Sequence, residues 1–563
     1  MIILMLNQTP QTVVNKTWRK IPANIKVTFF SSFVIGLFTH MYMFTNTLPN
    51  HDEVISLVGY LTWATEINGR WFLGYASAIS SMFSMPWVNG MLSMLYLSVS
   101  ACFIISTTQV KKYISCVLIS GILITIPIVA GILSYMQHAD PFFLGIMLSS
   151  FAAFLAVRYK YGFFFAPIPI VLSLAIYQAF YGVTAALLII VLILEVLDNQ
   201  TSWKKTFIKG LKFAGALGAG ILLYFVSIRI FYPDGLTDPY QGLNQMGYIP
   251  TSDLTYVFRR AYIEIIRFFI RNSRNFHYAF MQYVFLLSFA ACGVLIMFKC
   301  LKPGRPDSDL QKSIIKQPMK LLLLGVLFIL FPLGCNIIYI MGSASTLHDL
   351  MIYATVFIPV FLLVIADKYL QNNDLNGNIG GNKKFVSLTS NIAVWIITLS
   401  SIFLMFNYWN VSNRVYFKLN IAYETTFAQS ILLVSHIQSV PGYTYDSDIV
   451  LVGLPHIPQG IPELENITIT GAIGSELFGN WTYTYFLRNY LNFTQNVVHL
   501  RRSDLVYRYS EVAHIIDIVR DMPSYPNSGS IVMIDGVIYV RFPFIDECCL
   551  ITWPNVDVNC CLN

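Results

Sequence analysis

The chain has 563 residues, 56% of them hydrophobic and only 12% charged, with a mean hydropathy of +0.60. This balance exceeds what soluble domains carry, so the chain reads as a polytopic α-helical membrane protein and not a soluble enzyme. The formal net charge of +7 comes with no basic, aromatic-interleaved surface module, and no nucleic-acid partner is expected.

Residues 1–6 are too short for a cleavable signal peptide, and the polar stretch 7–20 separates them from the first long apolar run. The first span therefore acts as its own insertion signal. Crossing the hydrocarbon core takes about 20 residues. Runs near that length occur at 27–45, 88–107, 113–134, 141–157, 163–178, 182–197, 211–231, 276–298, 319–340, 349–366 and 388–409, about 11 transmembrane helices in all. The two runs flanking Tyr181 are short and open to merging.

Lysine placement tests this count. With a cytoplasmic N-terminus, 18 of the 19 lysines fall on the inner side and only Lys418 outside, as the positive-inside rule requires. Arginine does the reverse: apart from Arg19, Arg158 and Arg305, the other 14 of 17 lie at or beyond the outer face. The topology leaves three outer pieces: a loop at 46–87, a loop at 232–275 and a C-terminal portion. Two domains follow, a transmembrane module at 1–410 and a mixed α/β domain at 411–563. The inner segments 299–317 and 367–384 are polar connectors.

The first outer loop carries His51, Asp52 and Glu53, then Asn68, Arg70 and Trp71. An ordinary solvated loop would explain one such carboxylate; an acid pair, an arginine and aromatic side chains together suggest chemistry at a membrane face. Between the third and fourth runs, 135–141 holds His138 and Asp140. Asp140 is a candidate for positioning a sugar or a cation, or simply caps a helix with Pro141 in its first turn. Tyr177 and Gln178 are candidates for glycan or lipid contact, although an aromatic belt accounts for the tyrosine equally well.

In the second outer loop, helical spacing over 251–274 puts Arg260, Glu264, Arg267, Arg271 and Arg274 on one stripe and Leu254, Phe258, Tyr262, Ile265 and Phe269 opposite. This amphipathic helix lies on the bilayer against headgroups, or supplies donor-phosphate ligands. In the C-terminal portion, 425–438 and 511–520 read as helices and 448–454 as a buried strand, while Asp535-Gly536 between two β-rich runs marks a hairpin. Cys548, Cys549, Cys560 and Cys561 form an outer set expected to pair as disulfides in preference to binding metal.

One reaction suits these groups: transfer of a sugar from a lipid phosphate to an acceptor hydroxyl. An ionised carboxylate accepts the acceptor's proton. Arginine neutralises the departing phosphate by planar, bidentate contact, which explains the outward arginine bias.

With His51-Asp52-Glu53 after the first span, Asn68-Gly69-Arg70-Trp71, Tyr177-Gln178 and the tail from Met522 to Val540, the chain resembles the GT-C superfamily of integral-membrane glycosyltransferases. Within it, the layout is similar to the serotype-converting O-antigen glucosyltransferases of the type carried by temperate phages. The resemblance implies a GT-C-like transmembrane module in the bacterial inner membrane and a periplasmic C-terminal domain. It implies a polyprenyl-phosphate-linked hexose donor, usually glucose on undecaprenyl phosphate, and a lipid-linked O-antigen acceptor. Asp52 then matches the catalytic acid of the first outer loop, with Glu53 an open alternative, and Asp140 a second acidic position. Arg70, Arg260, Arg267, Arg271, Asp140 and His138 are candidate donor ligands; His51, Asn68, Trp71, Tyr177 and Gln178 are candidate substrate contacts. No cofactor is assigned, and a divalent metal stays open. The competing readings are a transporter or flippase of lipid-linked saccharides, which would favour repeats and charges within spans, and an O-antigen polymerase.

Overall fold

The computed structural model describes residues 9–55, 68–235, 254–272, 275–302, 312–341, 347–373, 381–453, 482–500, 519 and 521–542. Trp63, Glu66, Arg274, most of the 511–520 helix and the four C-terminal cysteines lie outside the described residues. The chain forms two compact units, one from Met1–Asn46 and Val58–Arg414, the other from Thr47–Leu57 and Val415–Asn563.

The first unit is a helical bundle. Among the described residues, nine helices are long and apolar enough to cross a membrane, and Tyr113–Thr125 with Pro127–Leu133 makes a tenth that bends by 46°. One of the nine, Val386–Gln438, runs on from the first unit into the second. The run expected at 163–178 is instead two short helices, Gly162–Phe165 and Pro167–Leu174. Pro167 has no amide proton to continue the first helix, and the apolar segment stays below spanning length.

The bend at Pro127 shows how the bundle satisfies its backbone. Extended backbone at Ile126 and the missing amide of Pro127 release carbonyls of the preceding turn. Side chains of other helices take them: Tyr353 Oη donates to Leu123 O at 3.0 Å, His40 Nε2 lies 2.9 Å from Ile124 O, and Ser412 Oγ donates to Thr125 O at 3.3 Å. Within hydrocarbon a broken helix persists only with such replacements.

The helices Gln178–Leu197 and Asp349–Gln371 are enclosed by the others, whereas Trp203–Phe231 turns most of its surface outward. Small residues permit close approach. A Cβ on Gly90 would lie 2.2 Å from Phe44 Cδ1. Hydroxyls lock the helices behind residue 178: Ser149 Oγ pairs with Ser173 Oγ at 2.8 Å and donates to Phe180 O at 3.0 Å, and Thr184 Oγ1 donates to Ser149 O at 2.8 Å.

Lysines gather at helix ends, where Lys299 Nζ meets Asp198 at 3.2 Å, Lys320 Nζ donates to Asn199 Oδ1 at 2.5 Å and Lys368 Nζ to Gln109 O at 3.1 Å. Asp367 accepts the backbone amides of Lys111 and Lys112 at 3.2 and 2.9 Å.

The second unit holds a four-stranded sheet of β1 (Asp448–Val452), β2 (Val497–Leu500), β3 (Ile531–Ile534) and β4 (Val537–Arg541), ordered β2-β1-β4-β3. β1 pairs parallel to β2 and β4, and β3–β4 is the antiparallel hairpin. Asp535 and Gly536 both take positive φ, 50° and 83°, the geometry of a tight primed turn. Ile449, Leu451, Ile538 and Val540 bury against Leu433 and Ile437 of the long Gly381–Gln438 helix and against Phe486 and Leu487 of the Tyr483–Leu491 helix.

Gly90→Ala should cost roughly 1–3 kcal/mol by overpacking. Thermal unfolding in detergent should show this as a lowered midpoint, and adding Phe44→Leu should recover part of the loss.

Candidate functional site

The first unit assembles a polar cluster around three short stretches of sequence. Gly69 adopts φ 64°, a left-handed conformation that glycine takes without steric cost, and so turns the chain between Asn68 and Arg70. Gln178 Nε2 donates to Asn68 O and to Tyr224 Oη, each at 2.7 Å, and Tyr224 Oη donates to Gly69 O at 3.2 Å. Trp71 completes the anchorage: its Nε1 donates to Ser227 Oγ at 2.9 Å, and its ring stacks on Phe231 at 4.2 Å. Phe72 N donates to Ala175 O at 3.1 Å.

These bonds hold Arg70, whose guanidinium lies 4.5 Å from the centre of the Tyr177 ring. Tyr177 packs on Phe142 at 4.9 Å and Phe142 on His138 at 5.9 Å. The sequence candidates Asn68, Arg70, Trp71, His138, Tyr177 and Gln178 thus share one neighbourhood. The side-chain N–H groups of Trp71 and Gln178 are committed to protein partners that position Arg70.

Asp140 is fully buried inside the Met136–Arg158 helix. The helix begins five residues before Pro141, so the expectation that Asp140 caps it is corrected: Asp140 lies within the helix, and Pro141 sits beyond its first turn. Asp140 Oδ1 accepts from Asn89 Nδ2 at 2.7 Å, which also reaches Ser80 Oγ at 3.2 Å. Asn89 is itself fixed, because its Oδ1 accepts from Met85 N at 2.8 Å at the start of the Pro86–Thr108 helix. Sequence reasoning missed Asn89, Tyr224 and Gln137. A lone Asn in an apolar run was the only available signal for the first; Gln137 lay unremarked inside the stretch that supplied His138 and Asp140.

The arginine-bearing helix spans Leu254–Phe269. Arg260 lies 5.3 Å from the Tyr339 ring centre, Arg267 pairs with Glu264 at 2.7 Å, and Arg271 is exposed just beyond the helix end. Among its described side chains the buried ones are Ala261, Phe268 and Phe269, while Phe258 is exposed, so the apolar face is rotated from the expected stripe. Tyr262 Oη donating to Ile329 O at 2.6 Å and Asn336 Nδ2 donating to Ala261 O at 2.8 Å fasten it to the bundle.

The acid pair belongs to the second unit. Asn50 Oδ1 accepts the amides of Asp52 and Glu53 at 2.8 and 2.9 Å, capping the one-turn helix His51–Ile55. Val54 buries in that unit's core, and Asn489 Nδ2 donates to Val54 O at 2.9 Å. With Val54 anchored, the two acids separate in environment. Asp52 keeps 37% of its side chain exposed, 3.4 Å from His51 Nε2, whereas Glu53 is buried beside Tyr490. Burial, and secondarily the Glu53 charge, push the Tyr490 hydroxyl above its ordinary range, which keeps it protonated. Among the described residues no three His, Cys, Asp or Glu side chains converge to hold a metal ion.

Fold and sequence thus define a membrane-embedded helical protein with a small appended sheet domain. The sequence model of the family described as Glucosyl transferase GtrII matches residues 41–366, more than half of the chain. The chain belongs to this family of serotype-converting O-antigen glucosyltransferases. No curated protein and no solved structure matches it.

Replacing Gln178 by Leu removes both bonds to the 68–70 segment and leaves Asn68 O and the Tyr224 hydroxyl to find other partners. The expected cost is about 1–3 kcal/mol, with faster proteolysis near Arg70. Tyr224→Phe should cost less, since the bond from Gln178 to Asn68 O survives. Unfolding midpoints and limited proteolysis of the two variants check the order.

Proposed function

We propose that the protein transfers glucose from a polyprenyl-phosphate donor to a lipid-linked O-antigen or similar surface glycan. The reaction takes place on the periplasmic face of the bacterial inner membrane, with the N-terminus cytoplasmic and the C-terminal domain periplasmic. The observation that carries this reading is the Arg70 guanidinium held on the Tyr177 ring inside a membrane bundle of a glucosyltransferase family.

The acceptor hydroxyl oxygen attacks the anomeric carbon as the bond to the phosphate oxygen breaks. The acceptor's proton passes to a carboxylate, and polyprenyl phosphate leaves with the bonding electrons and one more negative charge than the diester carried. Arg70 is assigned to that developing charge: it is always ionised, and its planar fork matches phosphate oxygens. Anchoring by Gln178, Tyr224 and Trp71 means that little reorganisation accompanies charge development.

Asp52 is assigned as the general base. Its half-exposed carboxylate beside His51 is reachable by a hydroxyl, while Glu53 faces its own unit's interior. Arg260, Arg267 and Arg271 are assigned to lipid headgroups and the approach of the donor, on a helix with exposed Tyr256, Phe258 and Ile266.

The test uses purified protein in nanodiscs, radiolabelled glucosyl polyprenyl phosphate and lipid-linked O-antigen. Wild-type protein should move label to the acceptor. Asp52→Asn should lower kcat by about 10²–10⁴-fold with donor affinity unchanged, and Glu53→Gln should lower stability more than kcat. Arg70→Lys should not restore the rate lost in Arg70→Ala. Wild-type kcat in a correctly inserted Asp52→Asn protein overturns the base assignment, and no transfer of label by wild-type protein overturns the donor assignment.

A further inference from the structure

The start of the Met136–Arg158 helix buries polar atoms that have no partner among the described residues. Both side-chain amide atoms of Gln137, both ring nitrogens of His138 and Oδ2 of Asp140 have no hydrogen-bond partner among the described residues. Gln137 and Asp140 are fully buried and His138 is 6% exposed. An unsatisfied buried polar atom costs about 1–3 kcal/mol, and a fold with ample hydroxyls elsewhere concentrates five of them within four consecutive residues.

The chemistry of the set identifies its complement. The Gln137 amide donates through Nε2 and accepts through Oε1, neutral His138 does one of each, and Asp140 Oδ2 only accepts. A metal ion would have no use for the amide N–H, and a phosphate would repel Oδ2 and Oε1. Sugar hydroxyls both donate and accept, and neighbouring ones pair with a carboxamide through both of its atoms. Two further features favour a sugar. Gln137 and Asp140 are three residues apart and so lie on one helix face, and the rings of Phe142 and Tyr177 adjoin His138 and Arg70. Asn89, held by the Met85 amide, takes Asp140 Oδ1 and fixes the carboxylate's orientation.

We propose that Gln137, with Asp140 Oδ2 on the same helix face, is a hexose-reading subsite in which the Gln137 carboxamide recognises hydroxyls of the transferred sugar. This rests on the glucosyl-donor reading above and adds a specificity-determining residue to it. A site built to bond a particular hydroxyl rejects the analogue lacking it by large factors, because its own polar groups are then stranded.

The test measures transfer by the full-length protein in nanodiscs from glucosyl polyprenyl phosphate and from its deoxy and epimeric analogues. Wild-type protein should discriminate against at least one deoxy donor by 100-fold or more in kcat/KM. Gln137→Leu should bring that ratio below 10-fold, mainly by losing activity toward the glucosyl donor, at an unchanged ratio for variants in the polyprenyl chain. Gln137→Glu, which keeps the acceptor and the shape, should retain an intermediate ratio and serves if the leucine variant does not fold. Equal loss for all donors, or wild-type discrimination in Gln137→Leu or Gln137→Glu, overturns the proposal and leaves a residue satisfied by structural water. Absence of transfer by wild-type protein from every polyprenyl-phosphate donor overturns the donor reading instead, a separate outcome.

Discussion

A bundle that lies in hydrocarbon must supply a partner for each polar group it buries, and this constraint organises the first unit. At the Pro127 bend, three exposed carbonyls are taken by Tyr353, His40 and Ser412. At the lysine-bearing helix ends, Asp198, Asn199 and Asp367 do the same for ammonium and amide groups. At the Asn68–Arg70 turn, Gln178 and Tyr224 take the backbone oxygens. Among the described residues the densest group of buried polar atoms without a partner lies at 137–140, and there a polar ligand gains most.

The same bonds explain how a mobile side chain becomes a fixed charge. Arginine carries about 2 kcal/mol of rotamer entropy, and ordering it during a reaction would raise the barrier. Here the ordering is done in folding, by a left-handed glycine, two hydrogen bonds to backbone oxygens and a stacked indole. Tyr177 then offers its ring face to the guanidinium, which limits the directions it can take without neutralising it.

Much of the membrane architecture was legible in the sequence because it depends on local quantities. Hydropathy located helical segments at the expected runs, but nine or ten among the described residues are long and apolar enough to span where about eleven were expected: Pro127 bends one, the 162–174 segment stays short, and the run at 388–409 belongs to a helix that continues to Gln438. Asp535-Gly536 announced its hairpin because the turn's positive φ values demand those residue types. The Arg70, His138 and Tyr177 neighbourhood was named residue by residue, yet its internal wiring was not. The bonds from Asn89 to Asp140 and from Tyr224 to Gly69 join distant parts of the chain, and no spacing rule reports them.

Two further features were hidden for related reasons. Periodicity over 251–274 assumed one ideal apolar stripe, but Asn336 and Ile329 fasten the helix through Ala261 and Tyr262 and turn Phe258 outward. Likewise, nothing local to residues 47–57 says that Val54 is a core residue of the sheet-containing unit. Once Val54 is placed, the neighbouring acids differ sharply in exposure, a distinction that adjacency in sequence concealed.

A cryo-electron microscopy structure of the full chain with a non-transferable phosphonate analogue of glucosyl polyprenyl phosphate tests the assignment of Arg70 to the donor phosphate most directly. Phosphonate oxygens should lie in contact with the Arg70 guanidinium. An analogue bound with its phosphonate away from Arg70, on the 254–269 helix or elsewhere, would contradict that assignment.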